Sequence, residues 1–281
     1  MSMQVIQNDL LKVEINDIGG ELTSIVDKKS GREFMFDGDP AWWTGISPIL
    51  FPVVGRFYKE TYTDKGTTYK LPLHGFVRKN PIELVSCDGT TLVQRRVASD
   101  ETLAMYPYNF EFYLTHTLRD KSIDVTYTVI NKGDVDMPFQ VGAHPGFKAK
   151  LGDKLILKSR FKDIYFQNLK DGLCDTPKYP IANETVVTKE LFDNDVLIFD
   201  NAQLYSAALA DEKGEYVEVS FTGFPACGIW AKAGAPYVCL EPWFGSDDVP
   251  GTDNEFAHRR NMNILSPGNT FTATYTINIK A

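Results

Sequence analysis

The sequence predicts an all-β fold, built from antiparallel sheets packed as a sandwich. Three observations carry this: apolar residues recurring with a period of two, turn residues between those runs, and no long segment with a helical period. Alternation points one set of side chains at a core and the other at water. Leu11, Val13 and Ile15 alternate with Lys12 and Glu14. Ile123, Val125, Tyr127 and Val129 alternate with Asp124, Thr126 and Thr128. Val217, Val219 and Phe221 alternate with Glu218 and Ser220, and the odd-numbered residues Phe271 to Ile279 with three threonines and Asn278. β-Branched and aromatic residues dominate these runs, as strands prefer. Asp88-Gly89, Asn131-Lys132-Gly133, Asp171-Gly172 and Lys213-Gly214 mark turns. The helical candidates are short, Ser99 to Met105 and Thr188 to Phe192. No repeat, low-complexity tract or linker-like shift interrupts the chain, so residues 1–281 read as a single domain.

Composition narrows the function. Apolar residues make up 43% and charged residues 23% of the chain, which allows a large buried core. The net charge of -8 counts against nucleic acid and anionic membranes as partners, because both require clustered Lys and Arg. Arg95-Arg96 and Arg259-Arg260 are only pairs. Met1 to Asp17 lacks the pattern of a signal peptide, and no stretch has the length of a transmembrane helix. The expectation is a soluble cytoplasmic protein. Cys87, Cys174, Cys227 and Cys239 are too sparse for a disulfide scaffold and read as reduced thiols.

Three segments place a proton-transferring side chain beside Gly or Pro: Leu73-His74-Gly75-Phe76-Val77-Arg78, Val141-Gly142-Ala143-His144-Pro145-Gly146-Phe147 and Cys239-Leu240-Glu241-Pro242-Trp243-Phe244-Gly245. Glycine permits close approach and proline stiffens the chain, as a rigid site requires; inert loops share these features. Glu241 sits among apolar residues, where a carboxylate is costly unless paired or functional. His116 shares a strand face with Phe112, Leu114 and Leu118 and reads as a packed histidine. His258, beside Arg259 and Arg260, reads as surface. His74, His144 and Glu241 formally make a two-His, one-carboxylate set, but their separation lacks the close spacing of a zinc motif, so no metal is expected. Nucleophile-elbow, P-loop and dinucleotide-binding motifs are absent.

Together these segments resemble the aldose 1-epimerase (galactose mutarotase) family, and best its mutarotase-related branch with HGF-x-R, G-x-HP-x-F and EPW segments. The opening is similar too: Ile18-Gly19-Gly20-Glu21-Leu22, Trp42-Trp43, and the run from Ile49 to Arg56. The similarity spans most of the chain in family order. It implies a galactose mutarotase-like β-supersandwich with a sugar cleft across one concave sheet. It implies Glu241 as general base, His144 as general acid, His74 as a second histidine at the ring oxygen, and Arg56 as a contact to sugar hydroxyls. The family's site aspartate maps to Asp195, with Asp200 as competitor. The galactose-specific enzymes carry an HGG-type segment where this chain has His74-Gly75-Phe76, so a galactose preference does not carry over.

The implied reaction interconverts α and β anomers of a hexose, with no cofactor, in a monomer or homodimer. Two alternatives stay open. Arg56 and Arg78 suit phosphate, so a hexose 6-phosphate is a second substrate reading. A non-catalytic sugar-binding module on the same fold is the third, although a pure binder has no need of the acid–base set. A glycosidase would want two carboxylates flanking one bond, and Glu241 is a single nominee.

Overall fold

A computed structural model describes residues 3–280. Two sheets dominate. The larger has nine strands, in spatial order Glu184–Val186, Lys154–Ser159, Leu204–Asp211, Gly214–Ser220, Thr270–Ile279, Ser122–Asn131, Phe110–Arg119, Thr91–Val97 and Glu83–Cys87. The second runs Leu197–Phe199, Ala226–Trp230, Tyr237–Phe244, Val141–Ala143 and Ile49–Leu50, with Gly146–Lys148 also paired to Tyr237–Phe244. All strand pairings within both sheets are antiparallel. The helical candidates shrink to one turn each, Asp100–Leu103 and the 3-10 turn Glu190–Phe192. Ser99 and Thr102 close the first with reciprocal side-chain caps. Among the described residues no helix is long and apolar enough to cross a membrane.

The alternating runs become strands with the expected faces. Ile123, Val125 and Tyr127 pair in register with Ile277, Tyr275 and Ala273, and all six are buried. Asp171-Gly172 joins Leu169–Lys170 to Leu173–Cys174 with φ of 53° and 76°. A two-residue turn with positive φ at both positions matches strand twist, which is why Asp-Gly serves there. One face departs from expectation. Glu218, read as facing water, is buried, because Lys158 and Lys280 reach it and Ser206 donates to it.

The sheets meet through aromatics. Phe51 leaves the strand Ile49–Leu50 and stacks on Phe112 of the large sheet, ring centroids 4.8 Å apart, with Phe139 at 6.2 Å. The core therefore lies beneath the second sheet and leaves its other face to form a cleft.

His116 is packed within that core, facing Leu92 and Val125 across the sheet. Its Nδ1 makes no hydrogen bond among the described residues, and burial pushes its pKa down to about 4. The unfolded chain protonates it below 6.5 while the folded chain does not, so it costs stability as pH falls from 6.5 toward 4. His116→Leu should therefore gain on the wild type by about 1.4 kcal/mol per pH unit across that window. Urea unfolding at pH 7 and pH 4.5 measures this; parallel losses in both proteins would contradict it.

Candidate active site

The second sheet sets the site out strand by strand. Along Tyr237–Phe244, Cys239, Glu241 and Trp243 share the cleft face, while Val238 and Leu240 turn into the core. Gly228 lies opposite Glu241 and Trp230 opposite Cys239 on the next strand. His144 follows Val141–Ala143, which pairs with Tyr237–Phe244 on its other side. Asp195 comes just before Leu197–Phe199.

His74 arrives differently. Its segment docks on the chain that leaves Ile49–Leu50: the Phe76 N–H donates to the Phe51 carbonyl at 3.1 Å and the His74 N–H to the Gly55 carbonyl at 2.9 Å. Gly75 must be glycine, since it has φ of 72° and a Cβ would lie 2.1 Å from the Phe51 oxygen. His74 itself holds φ of 62°. The Gly55 N–H donates to its Nδ1 at 3.0 Å. Nδ1 is thus an acceptor, which fixes the neutral tautomer with the proton on Nε2.

These elements form a cleft of about 260 Å³ lined by His74, His144 and Glu241, by Arg56, Arg78, Asp195 and Asp247, and by Trp43, Trp230 and Trp243. All six residues nominated from the sequence thus meet in one place. Asp200 does not line it; that carboxylate binds Arg260 and Asn261 instead. His258 is exposed and pairs with Asp253.

His144 Nε2 lies 3.4 Å from Glu241 Oε2, and the two imidazoles sit 5.6 Å apart, edge to face. Burial pushes Glu241 well above the usual carboxylate range, and Asp247 and Asp195 add to it. Burial likewise pushes His144 down to about 3, with Arg78 adding to it, and holds His74 well below 6.5. Asp247 is raised to about 6 by burial, against the pull of Arg259. Glu241 Oε1 makes no hydrogen bond of normal geometry among the described residues, the Trp243 indole only tempering its upward shift. Arg78 Nε is buried with no hydrogen-bond partner among the described residues. Both residues line the cleft, and a buried polar group without a partner is a costly arrangement.

Sequence reasoning missed several parts. Trp43 lies beside His144 with its ring tilted 31° at 4.9 Å, and Trp230 meets it edge-on at 5.4 Å. Of the aromatic residues in the three conspicuous segments, Trp243 lines the cleft, whereas Phe76 and Phe147 are core. Arg259, noted in the sequence only as one of a basic pair beside His258, is buried and binds Asp248 and the carbonyls of Val54, Arg56 and Ser246. Among the described residues, the metal-ligating atoms that come together are those of His144, Cys239 and Glu241, within 4.8 Å of one another, and His74 is not among them.

Comparison with known proteins agrees with this geometry. Residues 2–278 match the family model described as aldose 1-epimerase. The fold superposes with TM-score 0.94 on a galactose mutarotase related enzyme from Lactobacillus acidophilus, 30% identical, covering 100% of this chain and 98% of that one. A galactose mutarotase-like protein from Lactobacillus casei also gives 0.94, at 25% identity over 99% and 100% of the two chains. Protein LacX of Lactococcus lactis is 28% identical over 298 residues, 98% of each chain. A match across nearly the whole chain, on a fold whose cleft gathers the three conspicuous segments, places this protein in the aldose 1-epimerase family.

Proposed function

We propose that this protein is a cytoplasmic aldose 1-epimerase that interconverts the α and β anomers of a hexose by acid–base catalysis without a metal or cofactor. The observation that supports it most is the His144–Glu241 contact of 3.4 Å in a cleft walled by three tryptophans and two arginines. Burial disfavours both charged forms, so the pair shares one proton that rests on Glu241. Passing it to His144 gives a carboxylate and an imidazolium. Glu241 then takes the proton of the anomeric hydroxyl while His144 gives its proton to the ring oxygen. The C1–O5 bond breaks to the open aldehyde, and the pair is back in its resting protonation. Rotation about C1–C2 and the reverse transfers close the ring on the other face. His74 presents Nε2–H as a second donor to the ring oxygen. Arg56, Arg78 and Asp195 hold hydroxyls, and the tryptophans cover C–H faces.

The test is an NMR screen of anomer equilibration over free and 6-phosphorylated hexoses, run with and without EDTA. Catalysed exchange of a free hexose, unaffected by EDTA, is expected. Sugar binding with no catalysed exchange of any aldose would leave a binding module instead.

The same assay gives a pH prediction. Both cleft histidines are held far below 6.5, so kcat/KM should run level through pH 6.5 and fall only at lower pH, as the pair takes a second proton. A limb with its midpoint near 6.5 that persists in Asp247→Asn, which removes the cleft carboxyl raised to about 6, would mean that an ordinary histidine controls the rate.

A further inference from the structure

One strand ties His144, Cys239 and Glu241 together. Cys239 and Glu241 stand two residues apart on Tyr237–Phe244, so both point to the same side of the sheet. That strand also holds His144 from both directions. Gly142 pairs with Trp243 before it, Gly146 pairs with Cys239 after it, and the Leu240 N–H donates to the Pro145 carbonyl at 3.1 Å. One ligand atom from each of the three side chains lies within 4.8 Å of the others, and His144 Nε2 is 3.4 Å from Glu241 Oε2. Tetrahedral zinc, with bonds of about 2.0–2.3 Å, sets its ligand atoms about 3.3–3.8 Å apart. The His144–Glu241 edge already has that length, and the thiol has at most about 1–1.5 Å to close. Glu241 is 1% exposed, and its Oε1 and His144 Nδ1 are buried without hydrogen-bond partners among the described residues. A cation satisfies such a carboxylate. The cleft reaches both residues, which gives an ion its entry path and leaves a fourth position open to water.

We propose that His144, Cys239 and Glu241 bind a zinc ion that acts as an inhibitor of the epimerase and not as its cofactor. The donor set selects the ion: thiolate and imidazole suit zinc, whereas magnesium and calcium take oxygen ligands. As zinc binds, the thiol and the carboxyl release their protons to solvent. Burial holds both protons tightly, which weakens the grip on zinc and makes occupancy follow the zinc supply. The ion takes the lone pairs with which Glu241 and His144 move protons, so anomer exchange stops while it is bound. The inhibition rests on the epimerase reading above; zinc binding itself does not.

The experiment measures anomer equilibration of a free hexose by the wild type, Cys239→Ala, Cys239→Ser and Cys87→Ser, with zinc chloride, with magnesium chloride, and with zinc chloride followed by EDTA. Each rate is divided by that protein's own rate without added metal, so differences in basal activity cancel. At zinc about ten times its Kd the wild type should slow about tenfold, as occupancy alone requires, and recover with EDTA. Magnesium should have no effect. Loss of the thiolate should weaken binding at least about tenfold, so both Cys239 variants should slow about twofold or less at the same zinc concentration. Serine keeps the size of the thiol and carries the test if the alanine variant does not fold. Cys87 is the exposed thiol, and its variant should respond as the wild type does. Equal zinc inhibition of the wild type and both Cys239 variants, or no inhibition of the wild type, would overturn the inference and leave the epimerase reading standing. So would loss of inhibition in Cys87→Ser. If the wild type turns over no aldose, the epimerase reading fails. Calorimetric titration with zinc chloride then decides the site alone: binding by the wild type that weakens in both Cys239 variants keeps it, and equal or absent binding removes it.

Discussion

Replacing Glu241 by glutamine should slow anomer equilibration by about 10²-fold or more while leaving sugar affinity close to that of the wild type. Glutamine keeps the shape and most of the hydrogen-bonding capacity of the acid but cannot accept the anomeric proton. Burial raises the carboxyl pKa and so disfavours its charged form, and the uncharged amide meets no such penalty. The variant should therefore fold with little change in stability. His144→Asn should do the same through the ring oxygen. Groups that act as one proton-transfer unit are non-additive, so the double variant should be little slower than the slower single one. A purely structural Glu241 predicts the opposite pattern, with a lower melting temperature and normal turnover by the folded fraction. Polarimetry and thermal unfolding on one preparation separate these cases, and a folded Glu241→Gln protein with near-wild-type turnover would refute the mechanism.

The largest stability effect is expected at Arg259. Its guanidinium is 2% exposed, lies 3.0 Å from Asp248, and donates to three backbone carbonyls from Val54, Arg56 and Ser246. It also covers the ring of Phe57 at 4.5 Å. Asp248 in turn accepts from the Tyr58 N–H, and Asp247 from the Arg56 N–H. One side chain thus fastens the segment carrying Arg56 to the segment carrying Asp247. Arg259→Met fills the space but leaves Asp248 buried and unpaired. Breaking a buried pair on one side costs about 3–5 kcal/mol. Arg259→Lys keeps the charge and loses the fork, so its loss should be smaller. KM should rise in both variants, because Arg56 and Asp247 line the cleft. Urea unfolding of the three proteins gives the comparison; a methionine variant within about 1 kcal/mol of the parent, a typical surface effect, would show that the cluster is not under this load.

The fold class and the family were legible along the chain. Alternation in Ile123–Val129 and Phe271–Ile279 fixes which side chains face the core, because a strand's period of two is local. Asp171-Gly172 specifies its own turn, because positive φ is a property of those residues. Glu241 announced itself as an acid in an apolar strand. Tertiary structure alone decided the rest. Ile49–Leu50 and Val141–Ala143 are two and three residues long, too short to show a period, yet they carry the chain to His74 and His144. Asp195 and Asp200 look alike in sequence, and their places depend on Arg260 sixty residues further on claiming the second. Trp43 and Trp230 gain their positions beside His144 from a loop and a strand far apart in the chain. Arg259 reads as solvated because burial of a charge depends on partners that only folding supplies: here one carboxylate and three carbonyls from two other segments. Local pattern sets the face on which a residue lies, and long-range packing sets what it meets there.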